Sequence, residues 1–74
     1  MMANYSSVST ISDFRSLDEA EVLEGYLDGF SGLQPTHVPF SRSYMHGWRN
    51  GRIESGRVEA DQPYISLKLA FEVI

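Results

Sequence analysis

The chain of 74 residues contains no cysteine, so disulfides, thiolate metal sites and thiol nucleophiles are all excluded. Histidine is nearly absent too: His37 and His46 are the only two, and no carboxylate is spaced to complete a metal site with them. No apolar run approaches the ~20 residues that span a bilayer, and the first residues lack the basic and apolar regions of a signal peptide. No membrane association is expected, and the expected compartment is the cytoplasm. Basic residues are scarce, with six Lys and Arg against ten Asp and Glu and a net charge of -4. That balance argues against a generic nucleic-acid binder, whose affinity rests on many cationic contacts to phosphate. Catalytic constellations are missing as well. The serines of the N-terminal stretch sit in no nucleophile-elbow motif, and the glycines form no phosphate loop. A chain this short buries only about 60% of its unfolded surface and draws roughly 3–5 kcal/mol from its core. The reading is therefore a non-enzymatic protein without metal or cofactor, one that gains stability from a partner or from a second copy.

What charge there is comes in blocks. Residues 16–35 carry Asp18, Glu19, Glu21, Glu24 and Asp28 with no basic residue, and residues 36–57 carry Arg42, Arg49, Arg52 and Arg57 against Glu54. Residues 1–12 are rich in Ser and Thr and read as a flexible tail or an edge strand, which leaves 13–74 as one small domain. Ser16 followed by Glu19 makes a capping box and predicts a helix over about 17–30, ended by Gly32. On it Ala20, Leu23, Tyr26, Leu27 and Phe30 share an apolar face, and Glu21, Glu24 and Asp28 fall opposite. Gly25 and Gly29 line one edge; interior glycines cost about 0.5–1 kcal/mol each and imply close approach of another backbone.

Pro35 and Pro39 frame a break that contains His37. Ser41 is a suitable N-cap for a second helix over about 42–55, with Gly56 after its end. Here Tyr44, Gly47, Trp48 and Gly51 share a face, while Arg42, His46 and Arg49 lie mostly on the other. Matching glycine edges predict a tight helical hairpin, with Tyr26 and Phe30 packed on Tyr44 and Trp48. In 64–73, Ile65, Leu67, Leu69, Phe71 and Val73 alternate with other residues, which predicts a β-strand after Pro63. The strand would pair with the N-terminal segment or, more economically, with a second chain in a homodimer. The expected fold class is thus α+β, mainly helical.

Two surfaces are candidates for binding. Arg42, His46, Arg49 and Arg52 offer a donor face suited equally to phosphate and carboxylate. Glu21, Glu24 and Asp28 offer an acidic face suited to a basic protein.

The stretch Gly25-Tyr26-Leu27-Asp28-Gly29-Phe30-Ser31-Gly32, then Pro35, then Ser43-Tyr44-Met45-His46-Gly47-Trp48-Arg49-Asn50-Gly51-Arg52, resembles the ribosome modulation factor family. The match covers roughly residues 24–55. The resemblance implies a regulatory protein of translation that binds the bacterial small ribosomal subunit and its rRNA. It also implies packing roles for Gly25, Tyr26, Gly29, Gly47, Trp48 and Gly51, and contact roles for Arg49 and Arg52. The chain departs from the family in its acidity, in lacking a basic N-terminal arm, and in its C-terminal segment. The ribosome-binding regulator is the first expectation; the alternative, which acidity and small size favour, is an inhibitor or adaptor, for example a phage-encoded anti-defence or anti-CRISPR protein that binds a basic surface of a host protein.

Overall fold

The computed structural model describes residues 6–35 and 40–73. Tyr5, His37 and Pro39 lie outside the described residues. Four helices follow one another: α1 Ile11–Arg15, α2 Glu19–Phe30, α3 Arg42–Glu54 and α4 Gln62–Glu72. There is no strand among the described residues, so the α+β expectation is corrected to an all-helical fold.

Each helix begins at a side-chain cap. Thr10 accepts from the Asp13 amide (3.2 Å), Asp18 from Glu21 (3.0 Å), Ser41 from Tyr44 (3.0 Å) and Asp61 from Tyr64 (3.1 Å). Ser16, expected to cap the first long helix, instead ends α1 and donates to the Asp13 carbonyl. That helix therefore starts two residues later than the capping-box reading placed it, at Glu19. Gly32 (φ 80°) and Gly56 (φ 81°) end α2 and α3 in the left-handed conformation. Their amides and those of Leu33 and Arg57 donate to carbonyls of the last turn, a pair of hydrogen bonds that closes each helix.

The core of the fold is the contact between α2 and α3, and it is made by backbone. A β-carbon at Gly25 would strike the Tyr44 carbonyl oxygen and come within 2.9 Å of the Trp48 nitrogen. One at Gly29 would strike the Trp48 carbonyl, one at Gly47 the Val22 carbonyl, and one at Gly51 the Tyr26 carbonyl. The register of these contacts is constant: 25 with 44 and 29 with 48 on one side, 22 with 47 and 26 with 51 on the other. Both helices therefore run in the same direction. The Asp18 amide donates to buried Ser43 Oγ (2.9 Å) where both begin, and the Arg57 guanidinium reaches the Phe30 carbonyl (3.5 Å) past their ends. This corrects the hairpin expectation, since Ser31 and Ser41 stand at opposite ends of the pair. The aromatic packing is corrected with it. Tyr26 and Phe30 lie ring to ring on their own helix at 5.8 Å, and Trp48 sits under Arg52 and donates through Nε1 to the Leu33 carbonyl (2.8 Å).

α4 occupies the segment expected to be a strand. Asp61 caps it and Pro63 stands in its first turn, where a missing N–H costs nothing. The alternating pattern hides a second one: Tyr64, Leu67 and Phe71 recur at helical spacing and make the contacts of α4 with the rest of the chain, Phe71 remaining 40% exposed. Leu67 is buried, Phe71 meets Phe14 edge-on at 5.5 Å, and Tyr64 donates to Glu54 (3.2 Å). Gln, Leu, Lys, Ala and Glu between them are good helix formers. With no strand there, and none in residues 6–10, the strand-paired homodimer is also withdrawn. Val8 is instead a buried plug beside α3. No helix among the described residues is long and apolar enough to cross a membrane.

Candidate functional site

The arginine face turns out to be largely internal fastening. Arg42 places its fork on both oxygens of Asp13 (2.8 and 2.6 Å) and donates to the Ser6 carbonyl (2.9 Å), joining α1 and the segment before it to α3. Arg49, two turns on, pairs with Asp61 and donates to Ser7 Oγ (3.0 Å), joining α3 to the cap of α4. Between them His46 is half-buried, with its ring edge-on to Phe14 at 5.6 Å and 3.3 Å from the Asn50 amide nitrogen. It does not sit on a phosphate-facing surface. Arg52 differs from the other two. Its guanidinium lies 4.8 Å above the Trp48 ring, and no carboxylate among the described residues holds it.

Burial holds the His46 imidazole below its ordinary 6.5, and Arg49 and Arg42 push in the same direction. Hydrogen bonds from Arg42 hold the Asp13 carboxyl below 3.8. In both cases the unfolded chain takes up the proton first, so each contribution is complete above the ordinary value and is lost as pH falls below it. Thermal melting from neutral to acid pH is expected to fall in two stages, one beginning near pH 6.5 and one near 3.8. His46→Gln should remove the first stage and leave the second. A first stage unchanged in that variant would show that another group causes it.

The acidic face is divided. Asp28 accepts from the hydroxyl of buried Tyr44 at 2.5 Å and so belongs to the framework. Glu21 and Glu24 are exposed on the outer side of α2. The apolar face of α2 is placed opposite to expectation. Because the glycine edge takes α3, Leu23 (58% exposed), Leu27 (56%) and Phe30 (46%) point outward, with Leu33 exposed beyond the helix end. An outward stripe of leucine and phenylalanine results, with Glu24 on one flank and Glu21 farther round the helix.

A groove that sequence reasoning missed adjoins this stripe. Its first part, about 580 Å³, lies among Phe14, Leu17, Val22, Leu23, Tyr26 and Asn50. Its second part, about 710 Å³, shares Phe14 and Asn50 and continues along Glu54, Tyr64, Leu67 and Phe71. At the junction Glu54 accepts from Tyr26 (2.7 Å) and Tyr64 (3.2 Å). That carboxylate raises both phenols above 10, with burial the larger cause for Tyr64. The only signal available in the sequence was the helical spacing of Tyr64, Leu67 and Phe71. Arg15, Glu19, Lys68 and Glu72 also line it, so the site offers apolar area, aromatic edges and charges of both signs, which is chemistry for recognition.

No protein-family model, curated protein or solved structure matches the chain.

Proposed function

We propose that this is a small non-enzymatic binding protein, an inhibitor or adaptor, that docks a basic-rimmed apolar surface of another protein on the outer face of α2. One observation carries the reading: α2 packs by its glycines and turns Leu23, Leu27 and Phe30 to solvent, with exposed Glu24 on their flank and exposed Glu21 beyond it. Monomeric proteins rarely leave a contiguous apolar patch uncovered, and one rimmed by charge marks an interaction site. The rim fixes the sign of the partner, because like charge opposite these acids would cost several kcal/mol.

Capture from a bacterial lysate, treated with nuclease and compared across variants, tests the reading. Wild-type protein should retain its partner after nuclease treatment. Leu23→Glu with Leu27→Glu, and separately Glu21→Lys with Glu24→Lys, should each weaken retention about tenfold or more, while Arg52→Ala stays near wild type. The opposite pattern would replace this reading with a second one.

That second reading is a regulator of ribosomes resembling ribosome modulation factor, and one feature favours it. Arg52, stacked on Trp48 and held by no carboxylate among the described residues, is a preoriented cation of the kind that meets rRNA phosphate. It predicts co-sedimentation with ribosomes that falls steeply with salt and fails in Arg52→Ala. Arg42 and Arg49 do not discriminate between the readings, since their substitution also loosens the fold.

A further inference from the structure

α4 uses one side to hold the chain and leaves the other bare. Tyr64 and Leu67 face the body of the protein, and Phe71, though 40% exposed, is held edge-on against Phe14. Ile65 and Leu69 lie one turn apart on the reverse side, with Val73 four residues on at the C-cap, and the three are 40, 55 and 82% exposed. We propose that this stripe pairs with the same stripe of a second copy, with the two α4 helices antiparallel about Leu69.

Two features select a second copy over another partner. The stripe is symmetric about its centre, for Ile65 lies four residues before Leu69 and Val73 four after. A two-fold axis at Leu69 therefore sets Ile65 on Val73 of the second copy and Leu69 on itself, as an isologous contact requires. The charges obey the same symmetry. Lys68 and Glu72, one turn apart, line a single flank of the stripe, and neither has an ion partner among the described residues. In the antiparallel arrangement like flanks adjoin. At ~1.5 Å rise per residue, Lys68 then stands about 3 Å along the axis from Glu72 of the second copy, so two reciprocal pairs form. The competing self-contact fails on charge, because an α2 pair would bring together two segments that each carry Asp18, Glu19, Glu21, Glu24 and Asp28 and no base. Three apolar side chains per copy fall short of the ~1,200 Å² buried by stable interfaces, so the dimer dissociates on dilution.

Sedimentation equilibrium from low micromolar to millimolar concentration tests this with the full chain. The mean mass should rise from one chain toward two across that range. Leu69→Glu should remain monomeric throughout, with the helical circular dichroism of the wild type. Lys68→Glu and Glu72→Lys should each weaken association several-fold, and the double exchange should restore it, because it rebuilds both pairs with reversed sign. Leu27→Glu should leave association unchanged, which separates this interface from the α2 face proposed for the partner. A mass of one chain up to millimolar concentration would overturn the proposal. So would charge reversals that add instead of compensating, or association lost in Leu27→Glu.

Discussion

Gly47→Ala and Gly29→Ala are each expected to leave the protein largely unfolded at room temperature, although alanine is the better helix former. The new methyl group would lie inside van der Waals contact with the Val22 carbonyl at position 47 and with the Trp48 carbonyl at position 29. These are backbone atoms, which no rotamer change can move aside. Overpacking of ordinary side-chain contacts costs about 1–3 kcal/mol and occasionally more. A core this small supplies roughly 3–5 kcal/mol in all. Separation of α2 from α3 to make room would also undo the neighbouring contacts at Gly25 and Gly51, so the loss at one position spreads along the seam. Gly56→Ala is the control. Nothing lies within 4 Å of its added carbon, and only its positive φ resists, at about 1–2 kcal/mol. Urea unfolding followed by circular dichroism should rank the variants in that order. If Gly47→Ala instead raised the midpoint, as its helix propensity of about 1 kcal/mol would, the backbone seam would be disproved.

Tyr44→Ala should have a comparable effect by the opposite route, removal of volume. Tyr44 is the largest fully buried side chain among the described residues, 2% exposed, and its ring stacks on Phe40 at 6.4 Å. Truncation of a buried aromatic costs about 3–5 kcal/mol, which equals the whole stability expected here. Tyr44→Phe keeps the ring and deletes the donor to Asp28. A hydrogen bond to a charged acceptor contributes about 1.5–3 kcal/mol, so this variant should fold but melt early. Leu27→Ala, on the exposed side of α2, should change stability by no more than about 0.5 kcal/mol. The comparison of Tyr44 with Leu27 in one set of melts shows directly which apolar residues form the core. Equal losses at both positions would place Leu27 in contact with the body of the protein.

That comparison also marks where the sequence was informative. Local signals were legible because they act over a few residues: Ser41 caps α3, Gly32 and Gly56 end their helices, and glycines one turn apart announce a close seam. The direction of the seam was not legible. Gly25, Gly29, Gly47 and Gly51 permit close approach in either orientation, and only the length of residues 31–41 bears on the choice. The exposed face of α2 departs from hydrophobic periodicity for a related reason. Hydrophobic periodicity assumes that the apolar side of a helix meets its neighbour, whereas glycine edges let carbonyls and Cα atoms make that contact. In α4 two periods were superimposed on eleven residues, and the stronger-looking alternation won over Tyr64, Leu67 and Phe71. The arginines were legible as a cluster but not as fastenings, since Asp13 and Asp61 lie 29 and 12 residues away from the side chains they hold.

Same-direction pairing of α2 and α3 also has a consequence for how the chain reaches its native state. Two helices joined by a tight turn can zip together from that turn, each contact closing a loop only slightly larger than the last. Here every glycine contact between the two helices spans 19 to 25 residues, with 25 meeting 44 and 22 meeting 47, so no first contact is cheap. The full loop-closure entropy falls due before any of the seam is made. Neither helix, at 12 and 13 residues, is long enough to persist alone in water. Docking and helix formation are therefore one event, and refolding should be slower than its helix content alone would suggest.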